Sequence, residues 1–441
     1  MKPSFLLSVV ATAALLAGCG GSDSSSSDNT TPAPAPATGA LLSAPVVVAT
    51  LSAAQIDVAS AASGLLAISG AAKCDVEVVA LNYATLGPLQ EQTNDSGVML
   101  VPAGACAGTA APLLAYAKGT DLDKSRTLAN PTDGETFLLI AMYAAQGYSV
   151  VATDYLGYAQ SAYPFHPYLH ADSEAQSVLD SVRAARAAAG QVGATLSGKV
   201  MLAGYSQGGH SAMAAQRNGE RDAAAELNIV AGAYMAGPYN LSGMAQLPEA
   251  ILGYQFFVPF MITGYQKVYG NIYSDIGTVF QPPYASGIEN LLPCAGCGST
   301  SLVTSGALPG GTPDQARDAL IQPAFLADLT NNPDTNGFMQ DAQLNDLLGW
   351  TPVAPMLLCG GASDPTVPPA VNRDVLAADF TARGIIGFQS VDVDAQVQAV
   401  YGPAPTDPTS DAYAVYYGNY HGSYEPPFCQ AAARAFLDQL K

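Results

Sequence analysis

Gly204-Tyr205-Ser206-Gln207-Gly208 sets a serine between two glycines at fixed offsets. A serine held on a very tight turn between a strand and a helix leaves no room for side chains two positions before or after it. The apolar run KVMLA, 199–203, leads straight into Ser206, and the helix-like QGGHSAMAAQRNG, 207–219, follows it. That setting separates a nucleophile from a chance match in a chain with 43 glycines. A hydroxyl is a weak nucleophile at neutral pH, so it needs a general base within hydrogen-bond reach and a third group to orient that base.

The chain has only 4 histidines, so the search for the base is short. His210 is four residues beyond Ser206 on the same expected helix and is read as a packing or surface residue. His166 and His170, in YPFHPYLH, follow a strand but precede the serine. His421, in GNYHGSYEPPF, lies between the last expected strand and the last helix, where the base falls when the order is Ser…Asp/Glu…His. The orienting acid then lies between 206 and 421, just past a strand. Asp364 in PMLLCGGASDPTVPP fits that place, ahead of Asp392, Asp394 and Asp411. Acyl transfer also needs donors aimed at the developing oxyanion, each contributing roughly 2.7–4 kcal/mol. The N–H of Gln207, at the helix start, is one candidate. The N–H of Thr120 is the other, with Gly119 expected to let the backbone approach closely.

The elements that must position these residues alternate along the chain. Apolar runs at 112–117, 148–154, 199–205, 228–237, 354–361 and 389–395 read as strands buried on both faces. Residues 76–83 and 96–104 read as a strand pair ahead of them. Helical segments at 135–147, 172–190, 207–219, 369–384 and 428–440 sit between and after, with Ser173 and Gln176 spaced as a capping box. Alternation of this kind predicts an α/β fold. Residues 238–350 break the rhythm: rich in Tyr, Phe, Pro and Gly, they read as an inserted, partly helical cap or lid. The expected core is therefore 46–237 with 351–441.

Composition excludes some functions. Net charge is −20, with 16 Lys+Arg against 36 Asp+Glu, which argues against nucleic-acid binding. Residues 1–18 read as a secretory signal ending in Leu16-Ala17-Gly18 before Cys19, a bacterial lipobox in which Cys19 becomes the lipidated N-terminus. Gly20, rather than Asp, directs such a lipoprotein to the outer membrane. Residues 19–45, rich in Gly, Ser and Pro, read as a flexible tether. The apolar stretch 251–265 is too short to span a bilayer and carries Pro259, expected to break it. Cys19 aside, six cysteines remain: Cys74, Cys106, Cys294, Cys297, Cys359 and Cys429. An even remainder in an exported chain points to disulfides. Cys74 with Cys106, Cys294 with Cys297, and Cys359 with Cys429 are plausible partners. Zinc at Cys294 and Cys297 is disfavoured without a nearby His or second CxxC, and no other metal set stands out. Oligomeric state leaves no signal in the sequence.

AYAKGT, VVATDYLGYAQSAYPFHPYL, VLDSVRAAR, LAGYSQGGHSA, LLCGGASDPTVPP and the His421 segment together resemble the secretory lipase group of the α/β-hydrolase superfamily. The resemblance runs over roughly residues 70–440. It implies a mostly parallel central sheet with helices on both faces, an inserted cap over an acyl pocket, serine hydrolysis of acyl esters, and no cofactor. The family's nucleophile, acid and base carry over onto Ser206, Asp364 and His421. Lys118-Gly119-Thr120 stands where family members usually have His-Gly-Thr, a departure at the second oxyanion donor. Two other readings use the same residues. A capped peptidase would grip a substrate N-terminus with an acidic cluster, and none stands out here. A surface lipoprotein that binds without cleaving would have little use for an intact Ser, Asp and His set.

Overall fold

A computed structural model describes residues 36–247 and 250–441. Cys19, the signal segment and most of the expected tether lie outside the described residues. The β-branched and apolar runs form nine strands: β1 (Val46–Leu51), β2 (Asp75–Leu86), β3 (Gln92–Ala103), β4 (Ala111–Ala117), β5 (Ser149–Thr153), β6 (Leu196–Tyr205), β7 (Ile229–Met235), β8 (Met356–Gly360) and β9 (Phe388–Asp392). They build one sheet in the order β1-β2-β3-β5-β4-β6-β7-β8-β9. β1, β2 and β3 pair antiparallel, as does β3 with β5; every pair from β5 to β9 is parallel.

Alternation along each strand sends successive side chains to opposite faces. Val76, Val98, Leu100, Leu114 and Tyr116 bury on one face, with the helices Gly134–Met142 and Pro426–Leu437 over them. Val79, Met99, Val101, Leu113 and Ala115 bury on the other, under Ala171–Ala189, Gln207–Asp222 and Arg373–Ala382. The sheet is thus covered on both sides, which is why its central strands read as continuous apolar runs.

Between β7 and β8 the chain leaves the sheet. Helices run over Leu241–Ala245, Tyr254–Tyr269, Ser299–Thr304, Pro313–Leu320, Pro323–Asn331 and Gly337–Leu344. Phe260, Ile262, Phe280, Leu320 and Phe338 give this insertion a hydrophobic cluster of its own.

Four local expectations need correction. Pro259 does not break its segment but sits inside the helix Tyr254–Tyr269. Even so, no helix among the described residues is long and apolar enough to cross a membrane. The expected tether ends too late: Gly39 and Leu42 donate to the carbonyls of Ala84 and Asn82, so this stretch pairs along β2 before β1 begins. Ser173 and Gln176 form no capping box; the helix Ala171–Ala189 starts at His170, whose ring accepts the Ser173 N–H. The β2–β3 turn is shorter than expected, because both strands extend to Leu86 and Gln92.

All three cysteine pairs are bonded: Cys74–Cys106, Cys294–Cys297 and Cys359–Cys429. The last ties β8 to the helix Pro426–Leu437, the two elements that carry the segments of Asp364 and His421.

Candidate active site

β6 ends at Tyr205, and Ser206 turns the chain into the helix Gln207–Asp222 with φ 58° and ψ −124°. That left-handed backbone is costly for a serine and is held by its surroundings. A Cβ on Gly204 would lie 1.9 Å from the Gly208 carbonyl oxygen, and one on Gly208 would lie 1.9 Å from that of Ala117. Backbone packs against backbone at both places, so the two glycines are sterically required.

His421 sits in a π-helical turn, Tyr420–Tyr424, between the helices Asp411–Asn419 and Pro426–Leu437. Its Nε2 is 2.8 Å from Ser206 Oγ, and its Nδ1 is 2.7 Å from Asp364 Oδ2. A carboxylate beside Nδ1 fixes the tautomer: Nδ1 carries the proton and Nε2 faces the serine as an acceptor. Asp364 follows β8 and is buried; its Oδ1 accepts the N–H groups of Thr366 and Val367 at 2.8 and 3.1 Å. The three side chains converge from the ends of β6 and β8 and from the turn before the last helix. The other acids stand elsewhere. Asp392 accepts the Ala362 N–H, Asp394 accepts the Tyr420 hydroxyl, and Asp411 lies in the first turn of its helix.

Gln207 and Thr120 both border the same cleft as Ser206. Gln207 is the first residue of its helix, where an N–H has no intrahelical acceptor. Thr120 follows β4, and its hydroxyl bonds the Tyr168 hydroxyl at 2.8 Å. Tyr168 stacks on Phe260 with ring centroids 4.5 Å apart, so the insertion's long helix packs directly on the residue that holds Thr120. Gly119 donates to Glu135 Oε1 at 3.0 Å, and Arg126 clamps Glu135, Asp121 and Asp133. A Cβ on Gly119 would meet nothing nearer than 3.7 Å, so the expected steric need for glycine there does not exist. Lys118 puts its buried ammonium over the Tyr158 ring, 3.9 Å from the centroid.

Beneath the elbow is a buried polar layer that sequence reasoning missed. Gln207 Nε2 donates to Glu174 Oε1 at 2.6 Å and contacts His166 Nε2 at 2.7 Å. Ser211 Oγ donates to Glu174 Oε2, and the Leu169 N–H donates to Oε1. Burial alone would push the Glu174 carboxyl up, but the neighbouring His166 and His210 imidazoles outweigh it and hold the group at about 2. An ionised Glu174 thereby anchors Gln207 from below. His166 is fixed by the Leu156 carbonyl, and His210 is buried against the Asn345 carbonyl, so neither reaches Ser206. His170 serves as a helix cap. No signal in the sequence links Glu174 with Gln207, because the contact joins two helices 33 positions apart.

Two cavities meet at Ser206. One, of about 420 Å³, runs under the insertion and is lined by Leu241, Met244, Val258, Met261, Phe325 and Leu329. The other, of about 1050 Å³, opens on the His421 side between Leu65, Ile68, Leu138, Tyr401 and Pro426.

Residues 124–304 match the family model described as Secretory lipase. A search of curated proteins finds no match. The rice cell wall degrading esterase LipA from Xanthomonas oryzae is 33% identical, with a TM-score of 0.79 over 92% of this chain and 100% of that one. A putative hydrolase from Legionella pneumophila is 21% identical, with a TM-score of 0.72 over 90% of this chain and 97% of that one. Candida antarctica lipase A shares the fold at 17% identity and a TM-score of 0.55, over 80% of this chain and 76% of that one. With a strand-to-helix elbow in a mixed sheet and a full-length relative at this identity, the chain belongs to the secretory lipase family of lipase- and esterase-type α/β-hydrolases.

Proposed function

We propose that the chain is a serine hydrolase of carboxylic esters. Ser206 Oγ attacks the ester carbonyl carbon while His421 Nε2 takes its proton. Asp364 holds the imidazolium that forms, through the Nδ1–H bond. The negative charge on the former carbonyl oxygen falls between the Gln207 and Thr120 N–H groups. Collapse expels the alcohol, which takes the proton from His421 and leaves an acyl group on Ser206. Water, deprotonated by His421, then attacks the acyl carbon; the bond from the acyl carbon to Ser206 Oγ breaks, Oγ takes the proton back from His421, and the acid leaves. The single observation that carries this reading is the His421 ring, bonded at once to Ser206 and Asp364.

The insertion acts as a cap. Its apolar cavity of about 420 Å³ lies in the range of small-ligand pockets and suits an acyl chain. The substrate is a small acyl ester, and the chemistry calls for no cofactor. We also propose an exported lipoprotein of the outer membrane, tethered through Cys19; the lipobox supports the anchor, and the three disulfides support export. Retention in the aqueous fraction by wild type as well as Cys19→Ala would refute the anchor.

Fluorophosphonate labelling and cleavage of p-nitrophenyl esters test the chemistry. The expected result is one adduct on Ser206 and a loss of at least about 10⁴-fold in kcat for Ser206→Ala. Unchanged ester cleavage in Ser206→Ala overturns the reading. Faster turnover of aminoacyl amides than of esters would assign the site to a peptidase instead.

A further inference from the structure

Glu425 lies four positions beyond His421, at the end of the same π-helical turn, and its side chain is completely buried. Oε1 accepts the Gly361 N–H at 2.6 Å. Oε2 is 3.1 Å from the Tyr205 hydroxyl oxygen and 4.0 Å from His421 Nδ1. The Tyr205 hydroxyl is also 2.6 Å from the His421 carbonyl oxygen. A carbonyl cannot donate, so the one phenolic proton is shared between the shorter bond to His421 and the longer one to Glu425. Glu425 Oε2 therefore receives only part of the Tyr205 proton. It also faces the Asp364 carboxyl, with an oxygen of each acid within 4.8 Å of the other. Two buried carboxyl groups this close do not both ionise; one keeps a proton.

The donors decide which one. Asp364 accepts two backbone N–H groups and the His421 N–H, all of which favour its anion. Glu425 has one backbone N–H. Arg373 Nη1 and Glu425 Oε1 would each lie 3.7 Å from a Cβ on Gly360, but the guanidinium is turned to the Gly360 and Val391 carbonyls and to Asp374. The remaining titratable groups around Glu425 are the phenols of Tyr205, Tyr239 and Tyr420, and none of them supplies a positive charge. Burial first, and then the Asp364 charge, push the Glu425 carboxyl well above the usual carboxylate range.

We propose that Glu425 is a positioning residue held as a neutral carboxylic acid, its Oε2 proton donated to the Asp364 carboxylate. This rests on the hydrolase reading of Ser206, Asp364 and His421. The acid ties the loop after β8, the end of β6 and the His421 turn into one unit. It adds a donor to Asp364 without a second negative charge beside the imidazole, so a single carboxylate sets the strength of the base.

Three measurements on the full-length protein test it. Glu425→Gln stays uncharged and can still donate to Asp364. It is expected to keep kcat/KM within about threefold of wild type, with the acid limb of the pH profile unmoved. Glu425→Ala is expected to lower kcat by about 10- to 100-fold with little change in KM, the worth of one hydrogen bond to a charged group. Infrared spectra of wild type made with isotope-labelled glutamate are expected to show a protonated glutamic acid at neutral pH, a readout that needs neither activity nor a variant. A shift of the Glu425→Gln acid limb to lower pH by about one to three units would overturn the proposal, because that is the effect of deleting a real anion at this distance. So would fully ionised glutamate in the infrared spectrum. An active Ser206→Ala variant would remove the hydrolase reading and leave the infrared result standing.

Discussion

Replacing Gly208 with alanine adds one methyl group at the seam between the two sides of the proposed oxyanion hole. The new Cβ would lie 1.9 Å from the Ala117 carbonyl oxygen and 2.8 Å from that of Lys118. Contacts under 3.0 Å are not sustained, so the start of the helix must move from the end of β4 by 3.0 − 1.9, about 1.1 Å. Both colliding atoms are backbone, and no side chain can yield. The helix start carries the Gln207 N–H, and β4 leads into Thr120. A misplacement of about 1 Å between reacting groups can cost about 10²-fold in rate, and overpacking of this kind costs about 1–3 kcal/mol of stability. Gly208→Ala should therefore lower kcat/KM for a p-nitrophenyl ester about 100-fold and lower the melting temperature by a few degrees. Gly119→Ala is the matched control for stability. Its methyl would meet nothing nearer than 3.7 Å, so its melting curve should overlay wild type. Paired thermal melts and initial-rate kinetics read both variants. Wild-type rate and melting in Gly208→Ala would refute the steric account, as would equal destabilisation by Gly119→Ala.

Other perturbations probe separate parts of the molecule. Val258→Trp should fill the cavity under the insertion and reduce turnover of long-chain esters at least about tenfold more than that of acetate, measured across an acyl-length series. Glu174 is depressed from 4.5 to about 2, so its ionisation stabilises the fold above the unfolded value near 4.3, and that contribution disappears as pH falls toward 2. At 1.36 kcal/mol per pH unit this is about 3 kcal/mol, and the gap in stability between wild type and Glu174→Gln should narrow from pH 5 to pH 2 in denaturant titrations. Replacing Cys359 and Cys429 together with alanine opens a link across a sequence separation of 70 and should cost about 4 kcal/mol, read as a lower denaturation midpoint.

Much of this was legible in the chain because it is written in local sterics and in order along the sequence. The elbow at Ser206 needs only small residues at Gly204 and Gly208 after a strand, and five neighbouring letters carry that requirement. Parallel strands covered on both faces announce themselves as apolar runs. Asp364 and His421 could be proposed because each follows a strand in the required order and because histidines are scarce. Other features have no local signature. Pro259 reads as a break, yet tertiary packing around Phe260 and Ile262 keeps the helix intact. Val46–Leu51 is rich in β-branched residues, but only its pairing with β2 makes it part of the sheet. The layer of Glu174, His166, Gln207 and Ser211 joins residues far apart in the chain, and each alone looks like an ordinary polar residue on a helix or loop. Glu425 looks like the start of a terminal helix until folding buries it against Asp364. Sequence by itself therefore determined the layered fold and which side chains could react. Tertiary structure alone decided which polar groups lose water together, and so which carboxyls are ionised, which keep a proton, and how firmly the elbow is held.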